Sequence, residues 1–245
     1  MESNTLTLKD QFESVLANYN ISEDGQKLLL NLRMVLLNGP SASGRNTIID
    51  QLIKTGEYHK IVSDTTRLPR YNDGIKEVSG QSYWFRSEEE VLDDLRKGEF
   101  LEAEIIHNQQ VSGISLRELK TAYEDNKIAI TDVEIGGFKN IIAYKPDTVG
   151  VIVLPPSFDA WMERLNSRGK MPETEVLNRL KTGQRIFKEA LGMGSIKIVV
   201  NDVFTQAVAE IDSLAHGGEY LEKDSKYKLA ETLLAQTTAF LNNHS

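Results

Sequence analysis

The residues Gly39-Pro40-Ser41-Ala42-Ser43-Gly44-Arg45-Asn46-Thr47 carry the clearest chemistry in the chain. They follow an apolar run, Met34 to Leu37, and precede an amphipathic stretch, Ile48 to Ile53. Strand, glycine-bounded loop and helix in that order aim successive backbone N–H groups, and the positive end of a helix dipole, at one point. That is a cradle for a phosphate. Gly39 and Gly44 meet the spacing G-x4-G-K-[ST], whereas Arg45 stands in the lysine position and Asn46 in the position of a metal-facing hydroxyl. Further on, Arg67 and Arg70 flank Pro69, so two guanidinium forks can converge on one phosphate. Asp132 and Glu134 alternate, which on a strand puts both carboxyls on one face. Arg164 and Arg168 share a face of a predicted helix whose apolar side is Phe158, Trp161, Met162 and Leu165.

The elements that must position these groups alternate in a βαβ rhythm. Met34 to Leu37, Ile128 to Ile130, Val149 to Leu154 and Ile196 to Val200 read as continuous apolar strands, as in a parallel sheet covered on both faces. Ligands of such sheets bind at the carboxyl ends of the strands. From Ile61 to about Ser115 the rhythm breaks into short, mixed, aromatic-containing pieces, and the acidic run Glu88 to Glu90 with Asp93 and Asp94 reads as the solvated face of a helix. Leu8, Phe12, Val15, Leu16 and Tyr19 have helical spacing, Gln26 to Leu32 forms a second short helix, and Tyr227, Ala230, Leu233, Leu234 and Phe240 mark a terminal one. These outer helices are expected to pack on the flank, with a homo-oligomer through them as the second reading.

Composition bounds the function. The 245 residues suffice for one sizeable core with a small inserted lobe. The absence of cysteine excludes disulfides and thiolate metal sites, and the four histidines lack ligand spacing. A net charge of -8 argues against general nucleic-acid binding. The polar N-terminus lacks a signal pattern, and no apolar run approaches the roughly 18 residues of a membrane span. A soluble cytoplasmic protein is expected, without membrane partners.

Several motifs in order resemble one family. GPSASGRNT is followed by VSDTTRLPR (Val62 to Arg70), SYWF (Ser82 to Phe85), GEFLE (Gly98 to Glu102), ITDVEIGG (Ile130 to Gly137), VIVLPPSFDAWMERLNSRG (Val151 to Gly169) and IKIVVND (Ile196 to Asp202). This series resembles the guanylate kinases over Arg33 to Ala215. The resemblance implies a three-layer α/β P-loop fold with a parallel central sheet, a small mixed α/β nucleoside-monophosphate lobe and a lid. It divides the chain into an N-terminal helical extension (1–32), a kinase-like domain (33–215, lobe 61–115, lid region 157–190) and a helical tail (216–245).

The implied activity is transfer of the γ-phosphoryl group of ATP, with Mg2+, to GMP. Gly39 to Thr47, Arg164 and Asn201 would hold ATP; Ser63, Arg67, Arg70, Tyr83, Glu102, Glu134, Arg168 and Arg179 would hold GMP. Arg45, Arg67, Arg164, Arg168 and Asp132 would act on the transferring group, with Asn46 and Asp132 near Mg2+. Glu102 would read guanine, since a carboxylate accepts from both N1–H and the exocyclic amine, a pair of donors that adenine does not present. The chain departs from the family pattern at Ala42, usually glycine, at Arg45 and Asn46, in a longer loop between Arg70 and Tyr83, and at His107 to Ser115, which has no tyrosine. Ser112 and Ser115 are the hydroxyls left there. A non-catalytic module binding GMP or a phosphorylated partner, and a kinase for another nucleoside monophosphate, remain open beside the first reading.

Overall fold

The computed structural model describes residues 6–244 apart from Asp73, Arg168, Lys170 and Ser195. Along the chain run α1 (Lys9–Leu16), α2 (Glu23–Asn31), β1 (Met34–Asn38), α3 (Arg45–Ile53), β2 (Tyr58–Lys60), β3 (Asp64–Thr65), β4 (Tyr71–Asn72), β5 (Ile75–Lys76), β6 (Trp84–Phe85), α4 (Glu88–Arg96), β7 (Phe100–Ile106) and β8 (Gln110–Ser115). They continue with α5 (Leu116–Glu124), β9 (Ile128–Asp132), α6 (Ile135–Tyr144), β10 (Val149–Leu154), α7 (Phe158–Asn166), α8 (Glu173–Gly192), β11 (Lys197–Val200), α9 (Phe204–Ala215) and α10 (Lys223–Asn243). The chain divides into two compact units, residues 1–33, 59–129 and 143–146 in the first, 34–58, 130–142 and 147–245 in the second.

The second unit is built on the apolar strands. They form a sheet of order β11-β10-β1-β9-β2, with β1 and β10 parallel (Val35 beside Val149) and β10 and β11 parallel (Val151 beside Lys197). Val35, Leu36, Leu37, Val151, Ile152, Val153, Ile198 and Val199 are all buried, on both faces, which is why these strands show no polar alternation. The terminal helix α10 lies on α8 and β11, burying Ala230, Leu233 and Leu241. Gln184 on α8 donates to Thr238 Oγ1 at 2.8 Å, and Phe240 meets Phe158 on α7 at 5.7 Å between ring centroids.

The first unit holds a four-stranded sheet of order β6-β3-β8-β7, in which β7 and β8 are antiparallel with Ala103 opposite Gly113. α1 packs on α4 and β7, where Leu6 and Phe12 join Val91, Leu92, Leu95, Phe100 and Val111 in one apolar cluster. Burying an aromatic and several branched side chains there provides the ordering force for a helix of only eight residues. The acidic run is only partly a solvated face. Glu88 caps the start of α1, accepting from Thr7 N at 3.1 Å and Leu8 N at 2.7 Å, while Asp94 pairs with Arg86 at 2.6 Å. The longer loop after Arg70 forms the β4–β5 hairpin, with Asn72 opposite Ile75.

Candidate active site

In the second unit, β1 ends at Asn38 and the chain turns through Gly39 to Gly44 into α3. Gly44 has φ +96°, and a Cβ there would run into the Asn201 amide, whose Nδ2 donates to Ser43 O at 2.8 Å. Ala42 also has positive φ, +67°, which a methyl-bearing residue adopts at a cost of about 1 kcal/mol. The loop is therefore shaped for its backbone N–H groups, and Asn201 fixes that shape. The first turn of α3 has no acidic residue and its N–H groups have no helical acceptor, so an anion gains both. Ser43 Oγ is buried without a partner among the described residues.

Two helices hold the loop from outside. Trp161 on α7 donates its indole N–H to Ser41 O at 2.8 Å, and Arg179 on α8 reaches Ser41 Oγ at 3.0 Å while Glu175 steadies its Nε at 2.8 Å. Gly183 lies against Cη2 and Cζ2 of Trp161, where a side chain would collide with the indole. Arg45, at the start of α3, approaches Asp132 Oδ2 at 3.2 Å. Arg164 is half-buried on α7, and α7 ends at Asn166; Arg168 lies outside the described residues. Asn46 and Thr47 are exposed on the first turn of α3.

Asp132 and Glu134 do not share a strand face. β9 ends at Asp132, Glu134 precedes α6, and its carboxylate pairs with Arg185 on α8 at 3.1 Å. The apolar run continues through Val133, whose amide still bonds to Leu37 O and whose carbonyl accepts from Asn38 Nδ2, so the alternation in sequence outlasts the strand. Arg185 carried no signal of its own in the sequence.

In the first unit, the lobe sheet displays the second set. Thr65 pairs with Phe85 on β6 and with Ser112 on β8, and Ser112 with Glu104 on β7. Register partners share a face, and alternation along β7 adds Glu102 to it. Arg67 stacks over Phe85 at 5.4 Å and over Tyr83 at 4.8 Å, so it joins the same face. It is also buried, and its fork is not empty. Glu77 accepts from Nη1 at 2.5 Å and from Nη2 at 2.9 Å, and Nη1 also donates to Leu68 O at 3.0 Å. Of five guanidinium N–H groups three are committed, leaving two for the Tyr83 phenol and an anion.

Glu77 also accepts from Arg70 N at 2.8 Å, and the Arg67 guanidinium holds its carboxyl far below the usual range, at about 2. Arg70 itself is exposed. The two arginines thus differ in setting: Arg67 is buried and anchored on Glu77, while Arg70 is exposed with its charge acting on the same carboxylate. Glu77 was missed in the sequence because nothing local ties a carboxylate after a hairpin to an arginine before it. Ser63 is half-buried at the start of β3, where its carbonyl accepts from Trp84 N at 2.9 Å. Burial pushes the Glu102 carboxyl up to about 7, with the Glu104 carboxylate adding to the rise. Of the two remaining hydroxyls, Ser112 Oγ bonds to Thr65 Oγ1 at 2.9 Å on this face, whereas Ser115 is buried at the end of β8.

Comparison with known proteins gives the family and the fold. The family model described as guanylate kinase matches residues 31–216. A guanylate kinase of Corynebacterium diphtheriae is 34% identical over 188 residues, 76% of this chain and 95% of that protein. One of Corynebacterium glutamicum is 32% identical over the same shares. A crystal structure of guanylate kinase from Anaplasma phagocytophilum covers 84% of this chain and 95% of its own, with a TM-score of 0.55 and 21% sequence identity, a likeness of fold.

Proposed function

The chain belongs to the guanylate kinase family, and from that premise we propose that it transfers the γ-phosphoryl group of ATP to GMP, giving ADP and GDP. The observation that carries this reading is the lobe face on which a half-buried carboxyl, Glu102, stands with a stacked, carboxylate-anchored Arg67. One suits a guanine edge, the other a phosphate.

The acceptor oxygen of GMP is already anionic, so the reaction needs no strong base. Its difficulty is the approach of two polyanions, and catalysis comes from positioning and from fixed positive groups around a loose transition state. Arg67 and Arg70 hold the acceptor phosphate, with the Tyr83 hydroxyl as a further donor. The loop N–H groups and the α3 terminus hold the β- and γ-phosphates of ATP. Arg45, Arg164 and Arg179 spread charge over the transferring group, and Arg168 joins them by resemblance. Arg185 contacts one oxygen of the exposed Glu134 carboxylate, so a contact of Glu134 with GMP would fall to its other oxygen.

The donor set fits Mg2+. One carboxylate, Asp132, and the Asn46 amide oxygen match an ion that takes one or two protein oxygens and fills its shell with phosphates and water. When bound, Mg2+ neutralises phosphate charge. Arg45, a planar fork in a position suited to a compact ammonium, already contacts Asp132 and so shares that carboxylate. No helix among the described residues is long and apolar enough to cross a membrane. The cysteine-free chain is read as cytoplasmic, with ATP and GMP as its partners.

An acceptor screen tests the proposal. ADP release from ATP and Mg2+ is expected with GMP, and at least tenfold less with AMP, CMP or UMP at equal concentration, the lower end of what about 1–3 kcal/mol for one unsatisfied polar group supplies. Preference for another monophosphate would reassign the acceptor. GMP binding without turnover would make the chain a binding module.

A further inference from the structure

Two carboxylates, not one, stand on the acceptor face of the lobe. Glu102 and Glu104 are successive same-face residues of β7, about 7 Å apart along the strand. Opposite them on β8 are Ile114 and Ser112, and Ser112 leads on to Thr65 on β3 and Phe85 on β6. None of these is charged. Gln110 donates to Ser112 Oγ at 3.1 Å and Ser112 to Thr65 at 2.9 Å, so the Ser112 hydroxyl, the one opposite Glu104, spends its proton on Thr65. Arg67, the cation on this face, is forked onto Glu77. Among the described residues of this unit, Glu104 is therefore the charged group that acts on Glu102, and no cation or donor offsets it.

We propose that Glu104 is a positioning residue for base selection: a second carboxylate on the same face of β7, it adds its charge to the burial that already opposes ionisation of the guanine-reading Glu102, and so tunes the pH at which the choice of acceptor changes. The proposal rests on Glu102 meeting the base. Ionised, that carboxyl offers two acceptors to the N1–H and amine of guanine. Neutral, it offers one donor and one acceptor, which match N1 and the amine of adenine and oppose guanine. Burial first, and the Glu104 carboxylate second, push the Glu102 carboxyl up to about 7, which places the change near neutral pH. Preference for GMP then rises as pH rises through about 7. The secondary ionisation of the phosphate is common to both nucleotides and cancels in the ratio of their specificities.

The test is kcat/KM for GMP and for AMP between pH 5.5 and 8.5, with Glu104→Gln and the charge-preserving Glu104→Asp beside the native chain. The GMP/AMP ratio of the native chain is expected to climb through about pH 7. Glu104→Gln moves that climb toward acid by about half a unit, roughly a threefold gain in GMP specificity at pH 6, and Glu104→Asp restores the native profile. Coincident profiles for the native chain and Glu104→Gln overturn the proposal. Glu102→Ala separates it from its premise: if that variant keeps the GMP preference, Glu102 does not read the base and the premise falls first. Should Glu104→Gln not fold, carboxyl NMR of the ligand-free native protein decides. A Glu102 signal that titrates near 7 and also shifts as Glu104 ionises supports the proposal, and one that is blind to Glu104 overturns it.

Discussion

At the scale of single residues, the site depends on pairs that hold a functional group in place. Glu77 is the clearest. Its carboxyl is drawn down to about 2 by Arg67, so its contribution to stability is present above the ordinary pKa of about 4.5 and is lost as pH falls from there toward 2. Glu77→Gln leaves a buried guanidinium without its counter-charge and is expected to cost about 2 kcal/mol near pH 7, measured by denaturant unfolding, with the difference shrinking toward pH 2. The same variant should raise KM for GMP more than it lowers kcat, because a loosened Arg67 binds phosphate less well. An unchanged KM would mean that Arg67 does not meet the acceptor. The phosphate loop's strand–loop–helix setting and the placing of Glu102 in the lobe were legible in the sequence because each lies in a short, ordered motif. Glu77 and Arg185 were not, since their partners are separated from them by a hairpin in one case and by 51 residues of chain in the other. Glu134 was misread because apolar alternation continues past the last paired residue of β9.

At the scale of elements, periodicity served well wherever one face or both are buried. The central strands and outer helices lie where apolar spacing put them, with ends moved by a few residues, as at α2 and β11. What spacing could not give was how α7 and α8 engage the phosphate loop. The Trp161 indole serves twice, filling the core against Phe187 at 5.4 Å and donating to Ser41 O. A buried tryptophan in an amphipathic helix reads as packing alone, and its N–H goes unnoticed until the loop is beside it. Trp161→Phe should cost about 1–2 kcal/mol, from the lost hydrogen bond and some lost contact, and should raise KM for ATP several-fold while leaving KM for GMP near the native value. Melting curves and the two KM values check it. Equal changes in both constants would show general loosening rather than a loop effect.

At the scale of the whole molecule, the ordered motifs from Arg33 to Ala215 and the matched span 31–216 nearly coincide, because a series of short motifs in fixed order constrains a fold far more than any one of them. The terminal helices fall outside it yet are not loose additions: α1 completes an apolar cluster in the first unit, and α10 covers α8 in the second. The division into two units was legible only as a broken rhythm after Ile61, since the sequence cannot say that the N-terminal helices belong with the lobe. The central claim is that phosphate passes from one nucleotide to the other. It is tested most directly by incubating the full chain with γ-32P-labelled ATP, Mg2+ and GMP and separating the products. The account predicts that the label accumulates in GDP and that its transfer requires GMP. Label released only as inorganic phosphate, or retained in ATP at saturating GMP, would contradict it.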